Sequence, residues 1–475
     1  ILPTNPDPEL THPDITTNVS RGYEQREVLL PGIDDGPRAV AYGEQKLAGK
    51  LQYAHYDQAS DILWCAIELC AGECDALLDV KYADGRAAPV ANTGGSTWDY
   101  WWYHGTAAGA VDTHLQAVLP AWAEPFANTC NVIAKFKNFG STWNATVPDF
   151  LWHMRTRKCL SPATGLYAYS TSFWDQWYDA ARWSEIKGLP ASRVDAASFV
   201  AAKAADVTAS RKHDSHMLLM DWQKPDEVID VFRLMARAHW FFDGSKYFVV
   251  ADRPGAASAA TYDDDQVAQG SELDLQRGYD VFDRANKITI WFTDTDNGWQ
   301  QKPYSYPETD PIGEEIIEEE YRIPFLNYPA QVKELAVSLY QSRVNDARLS
   351  EQWMGWTGDR ALGDVVTRFI ESRGLTIPFR IMKRTKTADN HFDVELFEQN
   401  EAKFAEFGTI NPSLLAPTYP DPGASPPNVS SGTVTWTEEL YADQEGVTLP
   451  RGLLTFTAPS CPYLDDKFPV YVAIN

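Results

Sequence analysis

The sequence predicts a mainly β protein with an α+β middle, divided into several domains. Apolar and polar residues alternate from Arg38 to Lys137 and again from about 256 to 408, which is the period of half-buried strands. Between these regions, DEVIDVFRLMARAHWFF repeats apolar residues at helical spacing. The 475 residues suffice for roughly two to four domains with their own cores. The 30 prolines and 29 glycines are typical of a chain with many turns.

The N-terminal third predicts an extended arm followed by strands. Residues 1–37 contain six prolines, which remove backbone donors and exclude a long helix. The polar start shows no export leader, and no run of about 18 apolar residues predicts a membrane span. From 38 to 140, about six strands without helices between them predict a sandwich or barrel, with a hairpin turn at Asp84-Gly85.

The middle, from 141 to 255, predicts helices and a strand. NATVPDFLWHMRTRKC (144–159) is interpreted as one helix and residues 226–242 as a second, followed by a turn at Asp243-Gly244 and a strand. Pro225 and the acidic residues after it suit the positive end of the second helix. We expect its apolar face to be core, with the histidine packed rather than ligating: Val228, Val231, Phe232, Met235 and His239.

The C-terminal part returns to strands. KITIWFTD predicts a strand, YPAQVKELAVSLYQSRVNDARL a helix, and the last two strands before residue 400 are joined across Asp389-Asn390. The acidic run IGEEIIEEEY is expected to be solvated. A Pro-rich linker covers 409–427. The short strands TVTWTEEL and GLLTFTAPS then begin a module too short for a complete sandwich.

Net charge limits the function. Forty-one basic and 66 acidic residues give −25, which disfavours gripping the phosphate backbone of nucleic acids. Two interpretations remain open: an acidic wall along which DNA passes without sticking, or an ordinary acidic soluble protein.

The cysteines match no standard metal motif. Cys65 lies in an apolar run and is predicted to be a buried thiol. A metal or cluster site that uses Cys65, Cys70 and Cys74 with Cys130 remains an alternative, whereas disulfides are not expected.

Two further groups of residues could form a binding or catalytic site. One is an aromatic cluster beside Asp99 and Asp112, which would suit a glycan-binding or glycan-cleaving site. The cluster consists of Trp98, Tyr100, Trp101, Trp102 and Tyr103. Neighbouring strand positions face opposite sides of a sheet, so the five rings cannot line one cleft, and packing in a core or interface is favoured. The other group, His213, Asp214 and His216, resembles part of a metal site, although a solvated loop is favoured. No G-x-S-x-G nucleophile turn occurs.

Several runs, in this order, resemble the central tail hub or tail tip attachment family of lambda-like long-tailed bacteriophages and related gene transfer agents. They are AVAYGEQKLAGKLQY, DILWCAIELCAGECDALLDVKYADG, AVLPAWAEPFANTCNVIAKFK, DEVIDVFRLMARAHWFFDGSKYFVVADRP and KITIWFTDTDNGWQ, followed by the LGDVV turn. The Pro-rich arm and the aromatic segment Ser161 to Trp183 depart from the family's pattern.

The resemblance implies a structural protein rather than an enzyme, with no catalytic, cofactor-binding or metal-ligating residue. It implies a homotrimer at the distal end of a virion tail, assembled in the host cytoplasm. The expected partners are a distal tail protein ring, the C-terminus of the tape-measure protein, other tip and fibre proteins, genomic DNA in transit and the host surface. A glycan-active enzyme (depolymerase or glycoside hydrolase) and a glycan-binding adhesin remain alternatives. The implied domains are an arm (1–37), a first tube-type β-barrel (38–140), an α/β hub domain (141–255), a second tube-type β domain with a helix (256–350), a small β-barrel (351–408), a linker (409–427) and a partial fibronectin-like β module (428–475).

Overall fold

The computed structural model describes residues 38–406 with short gaps, and the backbone of two strand pairs outside that range. The gaps are 84–85, 94, 145, 212, 220–223, 257, 269–270, 272–273, 278–284, 295–299, 310–314, 324, 345–346, 356–359 and 388. The outer pairs are antiparallel: β1 (Asn18–Arg21) with β2 (Glu24–Glu27), and β25 (Thr435–Ala442) with β26 (Thr448–Thr455). The predicted linker, the Asp84-Gly85 turn and Cys461 lie outside the described residues.

The predicted mainly β class is confirmed, since strand makes up 41% and helix 23% of the structure. The chain separates into two compact units, Ile1–Pro417 and Thr418–Asn475. Within the described residues every sheet is open, so the barrels expected from the resemblance do not close here. No helix of the described part is long and apolar enough to cross a membrane. The individual domain boundaries stay predictions.

The first β region consists of two facing sheets around one core. One sheet has the order β5-β6-β9-β8 and the other β4-β10-β7. The shared core includes Trp98, Phe136 and Trp152, all at most 1% exposed. A short helix, which the sequence pattern did not predict, lies between β8 and β9. The elements are β3 (Val40–Ala41), β4 (Glu44–Leu47), β5 (Lys50–Asp57), β6 (Ile62–Ala71), β7 (Cys74–Tyr82), β8 (Trp98–Tyr103), α1 (Thr113–Val118), β9 (Thr129–Lys137), α2 (Phe139–Thr142) and β10 (Phe150–Arg157).

Strand β10 overturns the predicted helix over 144–159. Phe150, Trp152 and Met154 are buried, whereas the residues between them are partly exposed, which is the two-residue period of a strand. β10 pairs antiparallel with β4 on one side and with β7 on the other. The aromatic side chains therefore enter the sandwich core, and pairing on both edges outweighs the helix propensity of the charged residues around them.

The middle region packs three helices over a short hairpin and a neighbouring sheet. Its core holds Trp174 and Trp177 of α3, Phe199 of α4 and Phe232 of α5, all fully buried. β13 pairs with β3, which ties this region to the first one. The elements are β11 (Cys159–Leu160), β12 (Tyr167–Ala168), α3 (Phe173–Arg182), α4 (Ala196–Thr208), β13 (Leu218–Leu219), α5 (Pro225–Ala236), β14 (Ala238–Phe242) and β15 (Tyr247–Ala251).

Helix α5 ends earlier than predicted. It begins at Pro225 with two acidic residues in its first turn, as expected, but Arg237 adopts the left-handed conformation (φ 47°) and ends it. His239 therefore lies in β14 and not on the helical face with Phe232 and Met235. The predicted turn at Asp243-Gly244 is confirmed, because β14 and β15 pair across it.

The remaining strands form two sheets. A three-stranded sheet of order β19-β18-β20 packs against α6, and a six-stranded sheet has the order β16-β22-β23-β24-β21-β17. The six-stranded sheet draws strands from both sides of residue 350. The elements are β16 (Thr261–Tyr262), β17 (Asp274–Arg277), β18 (Lys287–Asp294), β19 (Gln300–Tyr306), β20 (Glu318–Arg322), α6 (Pro329–Val344), β21 (Ala347–Trp353), β22 (Val365–Ile370), β23 (Leu375–Lys386) and β24 (Phe392–Glu398).

Candidate functional site

The aromatic strand β8 divides its rings between two faces, as its alternation predicts. Trp98, Tyr100 and Trp102 pack against the core between the two sheets. Trp101 and Tyr103 lie on the opposite face, in a separate apolar cluster under α1. The Trp101 ring stacks on His114 with centroids 4.0 Å apart. The five rings therefore form no common platform for a sugar.

Asp99 and Asp112 make structural contacts instead of forming a catalytic pair. Asp99 is 2.8 Å from Lys137 Nζ and accepts a hydrogen bond from Ser96 Oγ at 2.9 Å. Burial alone would raise the pKa of Asp99, but hydrogen bonds from Lys137 and Ser96 outweigh it and lower the pKa. A glycosidase acid needs the opposite shift. Asp112 is fully buried, caps α1 by accepting from the Leu115 N–H, and accepts from Tyr103 Oη.

We expect Asp112→Ala to destabilise the protein by about 2 kcal/mol, because it removes a helix cap and leaves the partly buried Tyr103 hydroxyl without its acceptor. Amide hydrogen exchange in β8 and β9 would show the loss. Asp99→Ala, which breaks a partly exposed pair, should cost under about 1 kcal/mol. Equal stability of both variants and the parent would contradict this assignment.

Three thiols meet at one end of the first region. The Sγ atoms of Cys70 and Cys74 are 3.3 Å apart, and Trp102 Nε1 donates to Cys130 Sγ at 3.0 Å. All three thiols are buried. Burial would raise the pKa of Cys130, but hydrogen bonds from Cys70, Cys74 and Trp102 outweigh it and lower that pKa to about 5. Burial raises the pKa of Cys65, which belongs to the same apolar core.

This cluster is not arranged as a metal centre. Within the described ranges, no three His, Cys, Asp or Glu side chains are grouped to hold a metal ion. The alternative ligand set of Cys65, Cys70, Cys74 and Cys130 is therefore not found as a metal-binding group among these residues. The hydrogen bond from Trp102 Nε1 favours the charged form of the Cys130 thiol, whereas burial opposes it.

We expect folded protein to show a thiolate ultraviolet band that titrates near pH 5 and is absent from Cys130→Ser. Cys65→Ser should leave the band unchanged, since burial disfavours the charged form of that thiol. A band that first develops near the ordinary thiol pKa of about 8.5 would refute the stabilised thiolate.

The predicted solvated loop at 213–216 is wrong in its second half. Ser215 and Met217 are fully buried, because the segment enters the core to pair β13 with β3. His216 Nδ1 accepts from the Glu44 N–H at 2.8 Å, and Asp214 accepts from Thr171 Oγ1 at 2.6 Å. His213 Nδ1 lies 3.2 Å from the Arg211 carbonyl oxygen. These contacts position the backbone, and the three side chains are not brought together around a metal.

His239 lies close to a group of charges. Burial is the main cause that lowers its pKa to about 4, with Arg380, Lys403 and Arg233 acting in the same direction and Asp252 opposing them. The unfolded pKa is near 6.5. The folded state therefore binds fewer protons, and stability is lost as pH falls from 6.5 towards 4.

We expect His239→Gln to remove about 2 kcal/mol of this pH-dependent loss. Thermal unfolding of both proteins at pH 7 and pH 4.5 would measure how much stability each loses between the two pH values. The same loss in both proteins would contradict this role of His239.

A buried ionic network, which sequence patterns did not reveal, joins the helices to the neighbouring sheet. Arg211 Nε donates to Glu334 Oε1 at 2.7 Å and its Nη1 donates to Asp206 Oδ2 at 3.2 Å. Arg253 also contacts Asp206, and it donates to the Ala236 carbonyl at the end of α5. Arg380 donates to Asp252 at 3.2 Å. These contacts fix the relative positions of α4, α5 and α6 rather than presenting a reactive group.

Comparison with known proteins identifies the fold. No protein-family model and no curated protein matches the sequence. Among solved structures, one chain of "Virion of native gene transfer agent (GTA) particle" matches with a TM-score of 0.56 at 17% identity, covering 82% of this chain and 90% of that one. The chain has the fold of a gene transfer agent virion protein. The resemblance to gene transfer agent proteins is thereby confirmed as a likeness of fold.

Two further structures match less closely. A tail protein from Neisseria meningitidis has a TM-score of 0.32 at 9% identity and covers 76% of this chain and 96% of that chain. A prophage tail protein from Listeria monocytogenes has a TM-score of 0.28 at 12% identity and covers 79% and 92%. These scores are too low to support an argument, so the gene transfer agent fold rests on the first match.

Proposed function

We propose that this chain is a structural component of a virion tail, the hub at the distal end of a long-tailed phage or gene transfer agent particle. In this role a trimeric ring continues and closes the tail tube, docks tip and fibre proteins, and lets DNA pass on infection. The fold shared with a gene transfer agent virion chain over 82% of this chain supports the proposal most strongly.

The architecture is compatible with ring assembly. In our proposal regions 38–140 and 256–350 take two tube positions, so that three copies supply six and match a hexameric ring. The open sheets leave strand edges that neighbouring copies can cover. Exposed apolar side chains supply further contact points: Val90 (73% exposed), Leu166 (69%) and Tyr167 (59%).

Charge fits a conduit for DNA. Three copies would carry −75, three times the −25 of one chain. A wall of that sign repels phosphates, so DNA would pass along it without binding. The channel must be closed before infection and open afterwards, and we propose that a domain or plug moves between two states.

The proposed partners are the distal tail protein ring, the tape-measure C-terminus, and tip and fibre proteins. Residues 428–475 are assigned to contacts at the host surface. No geometry in the described residues favours the glycan-active alternatives, because Asp99 and Asp112 are engaged in structural contacts.

Native mass spectrometry of the purified chain tests the assembly. With 53.3 kDa per chain, a trimer of about 160 kDa is expected. Cryo-electron microscopy of full and emptied particles then tests the location and the gate. A monomer that turns over a glycan would overturn the structural role, whereas an identical open bore in both particles would reject only the gating step.

A further inference from the structure

An uncharged hairpin lies exposed on the middle region. No residue from 159 to 174 is charged, although 23% of the chain is. β11 and β12 form this hairpin, in which Ser161 N–H donates to the Leu166 carbonyl and Gly165 N–H to the Ser161 carbonyl, both at 2.9 Å. Leu166 is 69% exposed and its neighbour Tyr167 59%. Among the described strands β12 pairs only with β11, so its outer edge is open to a further strand.

A groove opens between β7 and β8, where the two sheets of the first region separate. Cys74 N–H donates to the His104 carbonyl at 2.8 Å, which joins the start of β7 to the end of β8. Further along, the two strands belong to different sheets, and Tyr100 N–H donates to the side-chain oxygen of Asn92 at 2.8 Å. A groove of about 260 Å³ lies there. Its lining includes Leu78, Val80, Pro89, Ala91 and Trp98.

The groove suits a strand edge better than a small molecule. Its volume is below the roughly 300–1,000 Å³ of small-molecule sites. The surface that solvent reaches inside it is mainly polar, since Asp79, Asn92 and the separated strand edges line it. Apolar side chains stand at its border, where Leu78 is 43% and Val90 73% exposed. Polar atoms inside and apolar side chains at the border complement the open edge of β12 and its two exposed apolar residues.

Charge favours a contact between two copies through these segments. Each chain carries −25, so copies repel each other wherever their acidic surfaces meet. The hairpin is uncharged, and so are residues 87–98, which border the groove. Asp79 in the lining is offset by Lys81, whose Nζ is 3.4 Å from its carboxylate. Contact between hairpin and groove therefore avoids most of the repulsion, and it covers the exposed side chains Val90, Leu166 and Tyr167.

We propose that the β11–β12 hairpin of one copy docks in the β7–β8 groove of a neighbouring copy. β12 adds along the separated strand edges, and Leu166 and Tyr167 cover Val90 and Leu78. This inference rests on the proposed ring of copies and names the surfaces that join them. Hairpin and groove are different surfaces of one chain, so the contact is head-to-tail, which is the type that closes into a ring.

Leu166→Glu and Val90→Lys test the contact in the full chain by native mass spectrometry over a dilution series. Each substitution alone should raise the concentration needed for trimer assembly by about tenfold or more, because it places a charge in an apolar contact. The double variant places opposite charges on facing copies and should recover most of that loss. Val207→Glu and Val207→Lys, at a side chain of α4 that is also 59% exposed, are the matched controls and should assemble like the parent.

Cross-linking identifies the neighbouring surfaces. A chain carrying both Leu166→Cys and Val90→Cys should give covalently linked trimers with a short bismaleimide. Each single cysteine variant controls for the native thiols and should give none. A chain with Val207→Cys and Val90→Cys should also give none, because α4 lies outside the proposed contact.

The outcomes separate this contact from the proposed ring. A trimer that withstands both single substitutions, or that gives no cross-link between the two introduced cysteines, overturns the contact and leaves the ring intact. Cross-linked chains that form a dimer or an open polymer support the contact and contradict the threefold ring. A parent that stays monomeric at every concentration overturns both.

Discussion

Replacing Glu334 by glutamine is expected to lower the free energy of unfolding by about 3–5 kcal/mol. The side chain is 4% exposed on α6, and Oε1 accepts hydrogen bonds from both Arg211 and Arg237. Glutamine preserves shape and volume but removes the negative charge between two buried cations. The loss arises because Arg237 stays in the interior without the carboxylate it contacts, and Arg211 keeps only Asp206, which it shares with Arg253.

Native-state hydrogen exchange would locate this loss. Amides of α4, α5 and α6 should lose protection together, because these helices share one apolar core. Glu320→Gln is the matched control: its partner Arg322 is 78% exposed, so the loss should stay under about 1 kcal/mol. Equal losses of stability in the two variants would show that burial of the Glu334 ion pairs does not increase the cost of removing the charge.

Alternation predicted strands well where one face meets a core. β8 shows this, since its aromatic residues divide between two apolar clusters as neighbouring strand positions require. The helix predicted over 328–349 is confirmed for Pro329–Val344, whereas its last three residues belong to β21. In both elements the local period and the final environment agree, so the sequence sufficed.

The errors arose where distant partners determine the local structure. β10 is a strand because β4 and β7 pair with both of its edges. α5 ends at Ala236 because Arg237 turns left-handed, and Arg211 and Arg253 occupy the carbonyls of Met235 and Ala236. The sequence of the segment 226–242 alone does not indicate that Arg211 and Arg253 contact the end of the helix.

The ionic network was invisible for the same reason. Glu334 stands between Val332 and Leu335, both core residues, and would ordinarily be assigned to an exposed helix face. Its partner Arg211 lies 123 positions earlier in the chain. Only the folded arrangement brings the two together, so a single sequence gives no signal for this network.

Gly105→Ala is expected to destabilise the first β region by about 3–5 kcal/mol. Gly105 follows β8 with φ of +78°, and a Cβ there would lie 2.6 Å from Gly72 O and Thr129 C and 2.7 Å from Cys130 N. These atoms belong to the backbone and cannot rotate away as a side chain would. The cost combines the strain of a positive φ with overpacking beside the thiol cluster.

Gly165→Ala separates these two causes. Gly165 also has a positive φ, +69°, but a Cβ there would meet no atom within 4 Å. Its substitution should therefore cost only about 1 kcal/mol, the conformational part. Hydrogen exchange in β6, β8 and β9 would measure the Gly105 effect, because all three strands form one sheet. If both alanine variants lose the same small amount of stability, the backbone around Gly105 shifts enough to accommodate a methyl group. The close approach of β8 to the β6–β7 turn would then not limit stability.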